Sequence, residues 1–138
     1  ELLYMPGGGS KHPPSHQSGD QRLHFLRMNG TEIFKLAVRR MAESAQRVIK
    51  TGKIKPERVA CFIPHQANIR IIEAVAKRAD LPREKVFMNL QRYGNTSAAS
   101  NLIALYEAVK TGRVTRGDHV VMVAFGAGLT WGSILLQW

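Results

Sequence analysis

A five-residue apolar run, Val59-Ala60-Cys61-Phe62-Ile63, stands between two stretches of helical periodicity and constrains the fold more than any other feature of this chain. It is too short for a buried helix and reads as a buried strand. Before it, Asn29-Gly30-Thr31-Glu32 opens a helix, with Asn29 as cap and Glu32 placed to reach back as in a capping box. Phe34, Ala37, Val38, Met41, Ala45, Val48 and Ile49 follow at helical spacing, and Gly52 ends the pattern. Lys35, Arg39, Glu43, Arg47 and Lys50 fall off this stripe, on a solvated face.

After the run, a second helix is expected from about Ala67 to Ala79, stopped by Leu81-Pro82, and then a brief strand at Val86-Phe87-Met88. A third helix from about Thr96 to Lys110 is expected to turn Leu102, Leu105, Tyr106 and Val109 inward. His119 to Phe125 and Leu129 to Gln137 read as strands joined by a tight Gly126-Ala127-Gly128 turn. The order helix-strand-helix-strand-helix-strand-strand describes a layered α/β domain with a mixed sheet packed with helices.

Residues 1–28 are rich in turn formers, among them Pro6-Gly7-Gly8-Gly9-Ser10 and His12-Pro13-Pro14-Ser15, and read as an extended loop segment that packs on another domain. His12, His16 and His24 fall here, but their spacing fits no zinc pattern, so no metal site is assigned. The chain has 138 residues, 44% of them hydrophobic, which suits one domain with a real core. No apolar run reaches the ~20 residues of a membrane span. The start resembles no signal peptide and lacks an initiator Met, which suits a fragment or a processed chain. One Cys cannot make an internal disulfide, so the cytoplasm is the expected compartment. Cys61 itself, inside the apolar run with no helix start behind it, reads as structural rather than nucleophilic. Twenty Lys and Arg against ten Asp and Glu give a formal charge of +10. The excess is scattered along helices, so it describes either a generally basic surface or one that meets an anionic partner. No nucleic-acid signature accompanies it.

Two segments can carry chemistry. His65 follows the strand and Pro64, at the strand end where open α/β sheets place ligand sites. Its imidazole is either a hydrogen-bonded group at a helix start or an N–H donor to a developing oxyanion. Asn95 is either the cap of Thr96-Ser97-Ala98-Ala99-Ser100 or a second donor aimed at the same spot. Gly126-Ala127-Gly128 is a hairpin turn that can also expose backbone N–H groups.

In order and spacing, Ile63-Pro64-His65-Gln66-Ala67-Asn68, Tyr93-Gly94-Asn95-Thr96-Ser97 and Ala124-Phe125-Gly126-Ala127-Gly128-Leu129-Thr130-Trp131-Gly132 resemble the β-ketoacyl-acyl carrier protein synthase III family. Arg27-Met28-Asn29-Gly30, with Phe34 beyond it, is similar to the same family. The resemblance implies the thiolase-like fold, of which residues 29–138 would form the C-terminal condensing-enzyme half, normally in a homodimer. It implies an acyltransferase that starts fatty-acid synthesis by decarboxylative Claisen condensation of malonyl-acyl carrier protein with an acyl-CoA primer, without a cofactor or a metal. His65 and Asn95 would be the catalytic donors, and the Ala127 N–H, where the family commonly has Gly, would serve the oxyanion of the acylated cysteine. Asn68 and Arg70 would line the pantetheine channel for CoA. Lys35, Arg70, Lys77 and Arg78 would meet the acidic carrier protein. The nucleophilic Cys would lie in the N-terminal half, so the isolated chain is expected to be inactive. A related condensing enzyme of secondary metabolism and a non-catalytic basic binding module are the competing readings; no nucleic-acid or membrane partner is expected.

Overall fold

The structure, a computed structural model, describes all of residues 1–138. Three strands, β3 (Val59–Pro64), β4 (His119–Gly126) and β5 (Thr130–Gln137), form its sheet in that order. β3 and β4 are parallel, and β4 and β5 make an antiparallel hairpin, so the sheet is mixed as the sequence order implied. A register shift between Val59 and Cys61 inserts one extra residue into β3. Val59 and Phe62 therefore share one face, although three positions separate them, while Cys61 and Ile63 share the other. Apolar side chains leave both faces of β3, which is why it reads as continuous rather than alternating.

On the Phe62 face lie α2 (Gly30–Thr51) and α3 (Ile69–Arg78), whose Ala37, Met41, Ala42, Ala45, Ile49, Val75 and Ala76 build the larger core with Val121 and Val123. Asn29 caps α2, its Oδ1 accepting from the Glu32 N–H at 3.2 Å. The expected reach of Glu32 back to the cap does not form, because its carboxylate takes the Lys35 ammonium at 2.8 Å instead. α3 starts at Ile69, since Asn68 Oδ1 accepts from the Arg70 N–H at 2.8 Å and caps it there. On the Cys61 face lies α5 (Ala99–Lys110), which with Ala104, Ala108, Val114, Val120 and Met122 closes a second, smaller core.

α5 is turned only partly as expected: Leu105 and Val109 pack against the smaller core, but the other two expected residues do not. Leu102 and Tyr106 are 65% and 63% exposed, and the buried positions are Ser100, Asn101, Ala104, Glu107 and Ala108. Ala104 and Ala108 let the helix approach the sheet closely, and Asn101 Nδ2 donates to the carbonyls of Ile63 (2.9 Å) and Val123 (3.4 Å). Those fixed polar bonds set the rotation of the helix, overriding the Leu and Tyr stripe.

Val86-Phe87-Met88 also departs from expectation. Only Val86 pairs with β3, as a single parallel bridge, and the Phe87 N–H donates to the Phe62 carbonyl at 2.9 Å. The next ladder position is lost because the Asn89 N–H goes to Gln66 Oε1, 3.0 Å away. Residues 1–28 hold more order than an extended loop. β1 (Leu3–Tyr4) and β2 (Arg27–Met28) clasp their ends in an antiparallel pair, and a single turn, α1 (His16–Asp20), is closed by a Ser15–Ser18 capping box. Two residues per strand suffice because the Asn29 N–H also ties back to the Leu2 carbonyl at 2.9 Å. The His24 ring lies 2.8 Å from Ser18 Oγ. No helix is long and apolar enough to cross a membrane.

Candidate functional site

His65 continues the parallel ladder one residue beyond β3, its N–H donating to the Val123 carbonyl at 2.8 Å. This fixes its backbone at the carboxyl edge of the sheet. The half-buried ring has its Nδ1 2.6 Å from Ser100 Oγ on α5, and burial pushes its pKa below the ordinary value, so it is neutral at pH 7. Ser100 Oγ also accepts from the Gln66 N–H at 3.3 Å. Where the Ser100 hydroxyl accepts from Gln66 and donates to Nδ1, the imidazole proton lies on Nε2, and this is the tautomer that can donate to a ligand away from Ser100.

Asn95 sits past the short helix α4 (Leu90–Tyr93). Its Oδ1 accepts from the Ser97 N–H at 2.9 Å, closing an Asx turn, while the N-cap position of α5 belongs to Ala98. Asn95 is therefore not the cap of this helix, as one of the two sequence readings had it. With its oxygen held, the exposed amide presents its N–H2 as a free donor. The Ser100 N–H in turn donates to the Ser97 carbonyl at 3.2 Å, so the Asn95 turn and the His65 ring meet at Ser100. Thr96 Oγ1, beside Asn95, is the one buried side-chain oxygen or nitrogen in the chain without a partner.

Gly94 makes the bend that launches this turn, with φ +66° and ψ −159°, a conformation almost confined to glycine. A Cβ there would meet nothing within 4 Å, so the requirement is conformational rather than steric crowding. Gly94→Ala is expected to cost ~1–3 kcal/mol of stability, read as a lowered Tm, or to displace Asn95 from its turn.

A polar network with a buried centre at Glu107, Asn89 and Gln66 and an exposed edge at Arg92 and Tyr93 joins both segments. Glu107 on α5 accepts from Asn89 Nδ2 (3.0 Å), Tyr93 Oη (2.6 Å) and Arg92 Nη1 (2.7 Å). The Tyr93 bond, then that of Asn89, holds the Glu107 carboxyl below the usual carboxylate range, against a smaller upward push from burial. Gln66, 1% exposed, donates through Nε2 to the Pro64 carbonyl at 2.6 Å and accepts the Asn89 N–H.

The other expected site residues lie apart from this centre. Ala127 is at the exposed tip between β4 and β5; Thr130 Oγ1 donates to its carbonyl at 3.1 Å, and no hydrogen bond engages its N–H. Asn68 spends its oxygen on the α3 cap, leaving its amide nitrogen without a partner. The Arg70 guanidinium stands 5.8 Å over the Phe34 ring, next to Lys35 in the chain, so the starts of α2 and α3 share a basic corner. Lys77 and Arg78 occupy the far end of α3, roughly 10 Å along its axis. All four basic residues are exposed. Cys61 is fully buried, and burial above all pushes its thiol up to about 11, with Arg113 opposing and Asp118 adding. It cannot supply a thiolate near neutral pH.

Ser100, Gln66 and Glu107 were not singled out from sequence. The available signal was polar residues at positions 100, 101 and 107, interleaved at helical spacing with Ala104 and Ala108. That pattern marks a helix face holding a buried polar network.

Residues 49–138 match the family described as 3-oxoacyl-[acyl-carrier-protein] synthase III C terminal. The beta-ketoacyl-[acyl-carrier-protein] synthase III of Caldanaerobacter subterraneus is 50% identical over 138 residues, covering 100% of this chain and 42% of the relative. The chain thus spans about two-fifths of the length of the curated relatives it matches. Among solved structures, the Aquifex aeolicus 3-oxoacyl-[acyl-carrier-protein] synthase III is 55% identical with a TM-score of 0.81 over 83% of this chain and 37% of that one. The Pseudomonas aeruginosa synthase III superimposes with a TM-score of 0.85 at 37% identity, over 100% of this chain and 40% of its own.

Proposed function

This chain belongs to the 3-oxoacyl-acyl carrier protein synthase III family, of which it matches the C-terminal part, and from that premise we propose that it supplies the carbanion-stabilising half of a condensing active site. The observation that carries this reading is the hydrogen-bonded path through Ser100 and Ser97 that links the two side chains: a neutral His65 held through Nδ1, and an Asn95 whose oxygen is already engaged. Each side chain keeps an N–H that no hydrogen bond within the chain engages, and in this reading the two are directed at one acceptor. The malonyl thioester carbonyl is that acceptor. When the bond to the carboxyl carbon breaks and carbon dioxide departs, its electron pair becomes an enolate whose oxygen the two donors stabilise. The enolate carbon attacks the acyl-enzyme carbonyl and expels the cysteine thiolate, giving a 3-oxoacyl-acyl carrier protein. Cofactors and metals have no part in this sequence.

The cysteine belongs to the portion of the enzyme that this chain does not span, and the Ala127 N–H serves the acyl-cysteine oxyanion. Exposed Leu102 and Tyr106 on α5, and Phe25, Leu26 and Met28 in the N-terminal segment, are the apolar side chains that packing by that portion and by a second subunit would cover. Substrates are an acyl-CoA primer and malonyl-acyl carrier protein in the cytoplasm, and the role is the start of fatty-acid synthesis. Separate measurement of acyl transfer and carbon dioxide release in His65 and Asn95 variants tests the donor assignment.

Asn68 and Arg70 border the pantetheine path, and Lys35, Arg70, Lys77 and Arg78 receive the acidic carrier protein. Lys35 is the weakest of the four, already shared with Glu32. In the full-length enzyme, Arg70→Glu and Lys77→Glu are expected to raise the apparent KM for malonyl-acyl carrier protein roughly five- to tenfold at low salt, fading as ionic strength rises. The KM for the acyl-CoA primer should rise only with Arg70→Glu. Equal damage to both substrates from Lys77→Glu would remove Lys77 from the carrier-protein surface.

A further inference from the structure

We propose that Glu107 is a positioning residue whose buried carboxylate holds the His65 and Asn95 segments in one register, an inference that rests on the donor assignment above. Its three donors come from Asn89, Arg92 and Tyr93, which span α4 from its N-cap to its last residue. Asn95 lies two residues beyond Tyr93, so the clamp fixes the base from which the Gly94 bend projects it. A helix of four residues has no independent stability, and α4 needs such an anchor to hold one position.

The same network reaches the other donor. The Asn89 N–H bonds Gln66 Oε1 at 3.0 Å, and Gln66 Nε2 bonds the carbonyl of Pro64, the residue before His65, at 2.6 Å. One carboxylate therefore sits at the root of both segments. Ser100, which holds the His65 ring, stands seven residues earlier on α5. Two turns of one rigid helix set the distance between the His65 support and the Asn95 anchor.

The test uses the full-length enzyme, with labelled acyl transfer to protein, carbon dioxide release from malonyl-acyl carrier protein and hydrogen exchange across residues 89–98 measured side by side. Glu107→Ala is expected to slow carbon dioxide release ~10²-fold, to leave acyl transfer largely intact and to speed exchange across that segment. Glu107→Gln should recover most of the rate, because its carbonyl still accepts from Tyr93 and the Asn89 amide can turn over to face the new N–H2. In the Asn95→Ala/Glu107→Ala double variant, the loss of release should fall well short of the product of the two single losses, since the Asn95 part of what Glu107 positions is already gone and only its hold on the His65 segment remains to be lost. Losses that multiply, release and transfer falling by one common factor, or unchanged exchange across 89–98 would each overturn the proposal. Wild-type release from Asn95→Ala would instead sink the donor assignment, with the exchange measurement still deciding whether Glu107 holds the segment. Should Glu107→Ala fail to fold, Tyr93→Phe deletes one bond of the network without stranding a charge. Release about threefold to tenfold slower is then expected with transfer unchanged, and an unaltered release rate overturns the clamp.

Discussion

Full-length enzyme carrying Asn95→Ala should release carbon dioxide from malonyl-acyl carrier protein ~10²–10³-fold more slowly than the parent, the usual cost of deleting one oxyanion donor. Acyl transfer from the primer to the nucleophilic cysteine should continue, because Asn95 has no titratable group with which to set the thiol's protonation. His65→Ala should show the same loss of release with some loss of transfer, since an imidazole can also exchange a proton with the thiol. Release at the parent rate from Asn95→Ala would reduce Asn95 to an Asx turn and remove the mechanism. The pH dependence carries a sign. Burial lowers the His65 pKa, so the folded state refuses a proton that the unfolded chain accepts. Stability is therefore lost as pH falls from the ordinary imidazole value toward the lowered one. The acid limb of the release rate that depends on neutral His65 should lie on the acid side of the ordinary histidine range.

The second large effect is an absence. The isolated 138-residue chain should catalyse no condensation, because its one thiol is fully buried with a pKa pushed up to about 11. Adding the portion of the enzyme that bears the cysteine should restore turnover where the two pieces fold and dock. Condensation by the isolated chain that disappears with Cys61→Ser would overturn both the burial argument and the division of roles between the two portions.

Much of the site was legible because its positions follow from local chemistry. His65 at the end of an apolar run and Asn95 after Tyr93-Gly94 stand at junctions that any α/β chain would expose. The structure keeps both at the ends of elements, His65 one residue past β3 and Asn95 two residues past α4. What was not legible is what holds them. Ser100 looked like one small residue in a run of small residues, and nothing in the pattern around Glu107 marked it as an acceptor for residues 14 to 18 positions away. Gln66 carried no signal at all beside its histidine.

Asn29 at the start of α2, Gly52 at its end, the buried strand at Val59 to Ile63 and the hairpin around Ala127 were fixed by the chain's own pattern. Each depends on neighbours within a few residues: a cap, a breaker, an apolar run, a turn. The rotation of α5, the single bridge at Val86 and the sharing of Glu107 among Asn89, Arg92 and Tyr93 were decided only in three dimensions. Asn101 bonds carbonyls 38 and 22 residues away, and Asn89 bonds a carboxylate 18 residues away. A buried donor must find an acceptor wherever the fold brings one, and that demand outweighed the local preference for Leu102 and Tyr106 to face inward.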